Sequence, residues 1–269
     1  MSKGNYSNYF VLAVLTTSLA FTGSSQAAPF KDSWIPSSPA NLLDVYLSAE
    51  PSFSRIHNDT AVQVSALVVN DYETNKQTNW NPLWGGGIGH TFEKLFNLPF
   101  SLSLGLAGYS VNFGNVKGLE LPFINDDLFD TLNYQFKAKS TALLFETRWI
   151  YANYDWQPFA IIGVGAAWNR LSDFNEEPTD PALSAAPVLQ GFGSHTNTAF
   201  AYELGIGVQR LLYADEKYNI RYTGSVDYRY VNFGKGEFSA YPTQPGGGAL
   251  QVANLDTQAV MFTLKLSFL

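Results

Sequence analysis

The chain has 269 residues, a formal net charge of −7 and no cysteine. Lacking cysteine, it has no disulfide scaffold, thiol nucleophile or thiolate metal site, and its acidic balance disfavours nucleic acid, whose phosphates are held by Lys and Arg. Aromatic residues make up 15% and charged residues 14%, a balance open to a secreted all-β domain and to a β-barrel whose lipid-facing and polar faces cancel in any hydropathy window.

The N-terminal segment places Lys3 before an uncharged stretch from Phe10 to Phe21 and then SSQAAPF. A basic start, an apolar core and a small-x-small site are the order of a secretory signal peptide, so cleavage is expected after Ala27. A core of about 12 residues is short of the ~20 a helical span needs. Residues 28–41 are then read as a periplasmic lead-in and 42–269 as one barrel domain.

Alternation of apolar and polar residues, the strand period, recurs along the rest. Leu43, Val45 and Leu47 oppose Asp44, Tyr46, Ser48 and Glu50. In WGGGIGHTF, Trp84, Ile88, His90 and Phe92 oppose Gly85, Gly87, Gly89 and Thr91. Phe100, Leu102, Leu104 and Leu106 oppose Ser101, Ser103, Gly105 and Ala107. Between Tyr134 and Trp149 the phase is mixed: Lys137 and Lys139 share one, Glu146 and Arg148 the other. A bulge near Ala142 to Leu144 would bring all four to one face. Phe159 to Asn169 alternates weakly. Phe200 to Gln209 and Ile220 to Tyr230 alternate strongly, and the C-terminal VMFTLKLSFL sends Phe262, Leu264, Leu266 and Phe268 one way and Met261, Thr263, Lys265 and Ser267 the other.

Eight such stretches are joined by alternately short links (KLFNLP, YANYDW, YADEKYN) and long ones near 55–81, 114–132, 171–196 and 234–254. That sorting is expected of an all-β, eight-stranded antiparallel up-and-down transmembrane β-barrel with short periplasmic turns and long extracellular loops. TAVQVSALVV, 60–69, is read as a β extension of the first hairpin projecting beyond the membrane. Trp149, Tyr151, Tyr154, Trp156, Tyr213 and Tyr218 cluster at the short-link rim as an interfacial aromatic belt, with Trp84, Tyr134, Trp168, Phe200 and Tyr230 near the other rim.

With the polar phase inward, the lumen is expected to hold Asp44, Glu50, Lys137, Lys139, Glu146, Arg148, Glu203, Arg221, Asp227, Arg229 and Lys265. Eight strands leave an interior just filled by side chains, so these charges should pair as a plug, because unpaired dry charges are costly. A narrow or gated ion path along the same residues is the alternative. The second and third loops read as acidic: Glu120, Asp126, Asp127, Asp130, Asp173, Glu176, Glu177 and Asp180 face Lys117. They are expected to form a solvated surface poorly suited to lipopolysaccharide phosphates without bridging cations. Calcium bridging or a basic host partner is the other use.

His90 falls in the outward phase, and His57 and His195 fall in links; none is paired with a nucleophile in a catalytic spacing. No G-x-G-x-x-G is completed and no metal-ligand spacing occurs, so no cofactor, metal or catalytic activity is expected.

The signal segment, WGGGIGHTF, PFAIIGVGAAW and the final FTLKLSF together resemble the small outer-membrane β-barrel proteins of the OmpA-transmembrane-domain and OmpX type, among them uncharacterised gammaproteobacterial relatives. The resemblance implies a Gram-negative outer-membrane location, a structural or surface-interaction role, and recognition of Phe262, Leu264, Leu266 and Phe268 by the barrel-assembly machinery. The family usually ends on an aromatic; here Phe268 is penultimate and Leu269 follows. It also implies contact with outer-membrane lipid and lipopolysaccharide, a host or surface ligand at the loops, and a monomeric state; because VMFTLKLSFL reads as the last strand, no OmpA-like peptidoglycan-binding domain is expected after the barrel. A lipid A-modifying enzyme is the remaining alternative; HTNT at His195 is only loosely similar to the His-x-Ser-Asn of a lipid A deacylase and lacks its serine.

Overall fold

The structure is a computed structural model that describes residues 41–57, 59–63, 69–74, 77–94, 98–121, 131–152, 154–180, 192–215, 217–239 and 249–268. The expected leader, nearly all of the lead-in, Asp126, Asp127, Asp130, Leu269 and the side chains of Glu50 and His57 lie outside them.

Twelve strands are described: β1 (Asn41–His57), β2 (Asp59–Gln63), β3 (Val69–Thr74), β4 (Gln77–Phe92), β5 (Phe100–Leu121), β6 (Leu132–Tyr151), β7 (Trp156–Pro178), β8 (His195–Asp215), β9 (Ile220–Asn232), β10 (Gly236–Glu237), β11 (Gln251–Val252) and β12 (Asn254–Phe268). β1, β4 to β9 and β12 pair antiparallel, each with its neighbour in the chain, and β12 returns to β1 with Leu43 opposite Phe268 and Ile56 opposite Leu255. The ring closes, so the eight-stranded up-and-down barrel has no open edge.

The strand period decides what each face meets. On β12, Met261, Thr263, Lys265 and Ser267 are buried inside, whereas Phe262 and Leu264 are exposed outside. Leu43, Leu47, Ile88, Phe145, Ile162 and Leu204 are likewise exposed on other strands. A continuous ring of exposed aliphatic and aromatic side chains is unstable against water but suited to hydrocarbon.

β5, β6, β7 and β8 hold 22, 20, 23 and 21 residues, about twice the 9–11 that a tilted strand needs to cross a bilayer. The excess lies at the long-link end. On β6 the outward residues run Trp149, Thr147, Phe145, Leu143, then Thr141, Lys139, Lys137, Gln135. The apolar band ends near Thr141, and beyond it the barrel continues with a polar outside.

β6 alternates without a break, so the expected bulge near Ala142 to Leu144 is absent. The extra residues are instead in its two neighbours. Asn112 pairs with Lys139 but Gly114 with Ala138, leaving Phe113 as the additional residue of β5. Gly114 has φ +75°, a left-handed value that favours glycine, and its N–H donates to Asn112 Oδ1 at 3.0 Å. In β7, Gln135 faces Asn175 while Lys137 faces Ser172, with Asp173 at φ +56°. Lys137 and Lys139 therefore face outward and are exposed, not in the lumen.

β2 and β3 form a hairpin, and β3 pairs with the far end of β5, Asp71 opposite Leu121 and Thr74 opposite Gly118. Residues 60–63 thus extend the sheet beyond the band; 64–68 lie outside the described residues. Inside the extension is a packed aromatic layer: Tyr72, Tyr134, Phe136, Phe174, Phe192 and Phe238, with Phe113 against Phe233. Ring centroids are 5.6 Å apart for Tyr72 and Tyr134, 5.7 Å for Tyr72 and Phe192, and 5.3 Å for Phe136 and Phe238. Tyr134 is buried here and not in an outward belt, because its even position on unbroken β6 points inward.

Candidate functional site: the lumen and the wall

Two charged groups occupy the barrel interior. Nearer the short-link rim, Asp44 of β1 accepts from Ser267 at 2.6 Å, from Ser103 at 3.3 Å and from Thr91, with Lys265 Nζ 3.6 Å away. At that rim Arg221 donates to Glu93 at 2.6 Å. Lys265 and Asp44 come together because Tyr46 opposes Lys265 and Asp44 opposes Ser267 across the closing seam.

The second group centres on Arg229 of β9. Its Nε donates to Asp227 at 3.0 Å, and its Nη1 donates to Glu203 of β8 at 3.2 Å, to Glu146 of β6 at 3.4 Å and to the Tyr109 hydroxyl. Tyr46 and Tyr109 donate to Glu146 at 3.1 and 3.2 Å. Arg148 lies 3.4 Å from Glu146 and stacks between the rings of Tyr46 and Phe159, at 5.6 and 4.8 Å. Five strands thus converge on one knot of two guanidinium groups and three carboxyls, all buried. Such a knot holds only because each charge is met by another; removing one partner strands the rest.

Of the eleven expected lumen charges, Asp44, Glu146, Arg148, Glu203, Asp227, Arg229 and Lys265 lie inside, Arg221 sits half-buried at the rim, Lys137 and Lys139 are outside, and the Glu50 side chain lies outside the described residues. The partners not singled out from the sequence are Tyr46, Tyr109, Thr91, Ser103, Ser267 and Glu93. The first five carried a signal, since each falls in the inward phase of its strand.

Glycines make room for the knot. A Cβ on Gly163 would lie against the Glu203 carboxyl, and one on Gly87 against the Tyr46 ring and the Leu106 carbonyl. Above it, Ser140 donates to Asn169 at 2.6 Å, and Asn169 donates to the Phe233 and Lys235 carbonyls at 2.7 Å. This ties the β9–β10 segment down beneath the aromatic layer.

Two acidic residues expected on exposed loops are instead interior. Glu120 is fully buried and Glu176 nearly so. Asn70 and Tyr72 of the β2–β3 hairpin donate to Glu120 at 2.6 and 3.0 Å. Burial holds the Glu120 carboxyl above the usual carboxylate range; hydrogen bonds with Glu176, Tyr72 and Asn70 pull it down without cancelling that rise. Asp173 pairs with Lys137 at 2.9 Å.

On the outer wall, Trp149, Tyr154, Trp156, Tyr213 and Tyr218 are exposed and Tyr151 half-buried, all at the short-link rim. Tyr151 joins Phe100 and Tyr154 at 5.1 and 5.9 Å, and Arg210 lies 5.5 Å over Trp156. His90 packs edge-on to Phe92 at 4.7 Å, and His195 is exposed at the start of β8. Among the described residues, no three His, Asp or Glu side chains converge as a metal would require.

A closed eight-stranded wall with an apolar outside and a packed, charged inside defines a membrane-spanning β-barrel, the class that includes the small barrels of outer membranes. Neither a family model nor a curated protein matches the sequence. Among solved structures, the chain is similar to the outer membrane protein OprG of Pseudomonas aeruginosa, at 15% identity over 84% of this chain and 95% of that one, with a TM-score of 0.33. It is also similar to the outer membrane protein AlkL, at 12% identity over 85% and 90%, with a TM-score of 0.36. A third is the attachment invasion locus protein Ail of Yersinia pestis, at 11% identity over 85% and 99%, with a TM-score of 0.35.

Proposed function

We propose that the chain is an integral outer-membrane protein of surface-interaction type, with short links in the periplasm and its long links and barrel extension facing the environment. The supporting observation is that the interior is filled twice, by the Arg229 knot at membrane height and by the aromatic layer above it. A solute following the barrel axis meets both. Transport is therefore the weaker reading, and the outward-facing extension is the part available to a host or surface ligand. Among the described residues, neither His90 nor His195 is hydrogen-bonded to a serine or threonine hydroxyl, so a histidine-activated nucleophile has no support. The apolar side chains Phe262, Leu264, Leu266 and Phe268 serve the assembly machinery during insertion. The closed ring needs no second copy, so the working state is a monomer.

The test is electrical. Purified protein in planar bilayers, at neutral pH and with the barrel verified as folded, should give no discrete conductance steps. Reproducible single-channel openings would replace this reading with the channel alternative. Overexpression should leave the mass of lipid A unchanged; a defined acyl loss or gain would establish the enzyme alternative.

A further inference from the structure

We propose that Lys139 of β6 and Arg170 of β7, flanked by Asn112 of β5 and Thr196 of β8, form a docking site on the outer wall for the phosphate group of a membrane lipid. The four residues are one row across neighbouring strands: Asn112 opposes Lys139, Lys139 opposes Arg170, and Arg170 opposes Thr196. Asn112, Lys139, Arg170 and Thr196 are all exposed on the outward face.

Two cations placed directly opposite each other on adjacent strands repel, with Cβ atoms about 5 Å apart. No described residue of the wall relieves that repulsion. Neither Lys139 nor Arg170 makes an ion pair or hydrogen bond with the described residues, and the exposed Asp173 of β7 is engaged by Lys137 at 2.9 Å. Glu120 and Glu176, which would otherwise make this region acidic, are turned into the core. An uncompensated pair of opposite-strand cations with an amide and a hydroxyl in line matches a tetrahedral anion with several acceptor oxygens, with the Arg guanidinium supplying a two-pronged donor.

Height selects the source of the anion. The row one pair nearer the membrane is Ser110, Thr141, Trp168 and Thr198, and Trp84 faces Ser110. Exposed Trp84 and Trp168 mark the edge of the apolar band, where tryptophan sits at headgroup level. Lys139 and Arg170 are two residues farther along their strands, about 7 Å. That is the level of lipid phosphates, with the apolar wall below to receive the acyl chains. The inference rests on the membrane-spanning reading above.

The experiment uses full-length protein and a Lys139→Gln/Arg170→Gln double variant, with Lys217→Ala, an exposed cation at the other rim, as control. Folding is checked by heat-dependent gel mobility, and partition into liposomes is scored separately. Lipids retained in mild detergent are counted by native mass spectrometry, and bis-phosphorylated lipid A, its dephosphorylated form and inorganic phosphate are titrated in turn. The wild type and Lys217→Ala should retain phosphorylated lipid. The double variant and the dephosphorylated lipid should each lower affinity tenfold or more. Equal retention by folded, liposome-bound wild type and double variant overturns the site. Binding of inorganic phosphate as tight as that of the lipid overturns the lipid as its occupant. Failure of either protein to enter liposomes defeats the membrane reading, and this site with it.

Discussion

Arg229→Met tests whether the knot holds the barrel together. Arg229 bonds Asp227 at 3.0 Å and Glu203 at 3.2 Å, and both carboxyls are almost wholly buried. Glu146 keeps Arg148 at 3.4 Å and the hydroxyls of Tyr46 and Tyr109 after the change. Methionine therefore strands two carboxyls, not three. Breaking a buried pair by removing one partner costs roughly 3–5 kcal/mol, a large share of the ~5–15 kcal/mol that holds a folded domain. The assay is urea unfolding in liposomes followed by tryptophan fluorescence and gel mobility, wild type beside variant at neutral pH. Adding Glu203→Gln and Asp227→Asn to Arg229→Met should restore most of the loss, since a neutral cluster has no orphaned charge. If Arg229→Met alone stays within about 1 kcal/mol of wild type, or the triple variant recovers nothing, the knot does not carry the load assigned to it.

A cysteine at Leu204, 50% exposed on the wall, should react with a membrane-confined maleimide, whereas one at the buried Gly205 should not; equal labelling would contradict the assigned phase of β8. Gly87→Ala should destabilise by about 1–3 kcal/mol, because the new Cβ meets the Leu106 carbonyl as well as the Tyr46 ring; unchanged urea midpoints would show that the strands move apart freely. Glu120 has a folded-state pKa raised chiefly by burial, so its stabilising contribution is present below the unfolded carboxyl value near ~4.3 and is lost as pH rises through the folded value. Glu120→Gln should therefore slow hydrogen exchange in β3 at neutral pH, with the gap closing in acid; a gap that widens in acid would reverse the sign and refute the assignment.

The sequence made the wall legible wherever apolar side chains repeat every second residue without interruption. Phe262, Leu264 and Phe268 could be assigned to one face because β12 lies within the band for most of its length. β6 was misread at Lys137 and Lys139 for a physical reason. A polar residue on a barrel strand implies the lumen only inside hydrocarbon, and β6 continues past it, so its outward residues turn polar without any change of phase. The bulges that adapt β5 and β7 to straight β6 left weak marks, Asn112 with Gly114 and a lone Asp173. The same oversight made Glu120 and Glu176 look like loop acids. The lumen charges were mostly legible as a set, but their partnering was not. Which carboxyl Arg229 meets depends on the stagger of five strands, and Glu93 belongs to a link rather than a strand. Phe192 and Phe238 gave no periodic signal, since they come from irregular segments that become a core only when the extension closes around them.

The aromatic layer also bears on the order of events during insertion. Phe192, Phe238, Leu250 and Val252 are buried in it, and in the orientation proposed above each is carried on a segment that must first pass to the far side of the bilayer. Their packing has to follow passage, and once made it opposes retreat: dragging those segments back would expose several large side chains at about 1.5–3 kcal/mol apiece. The layer behaves as a toggle bolt, slender while threaded and wide once opened beyond the hole.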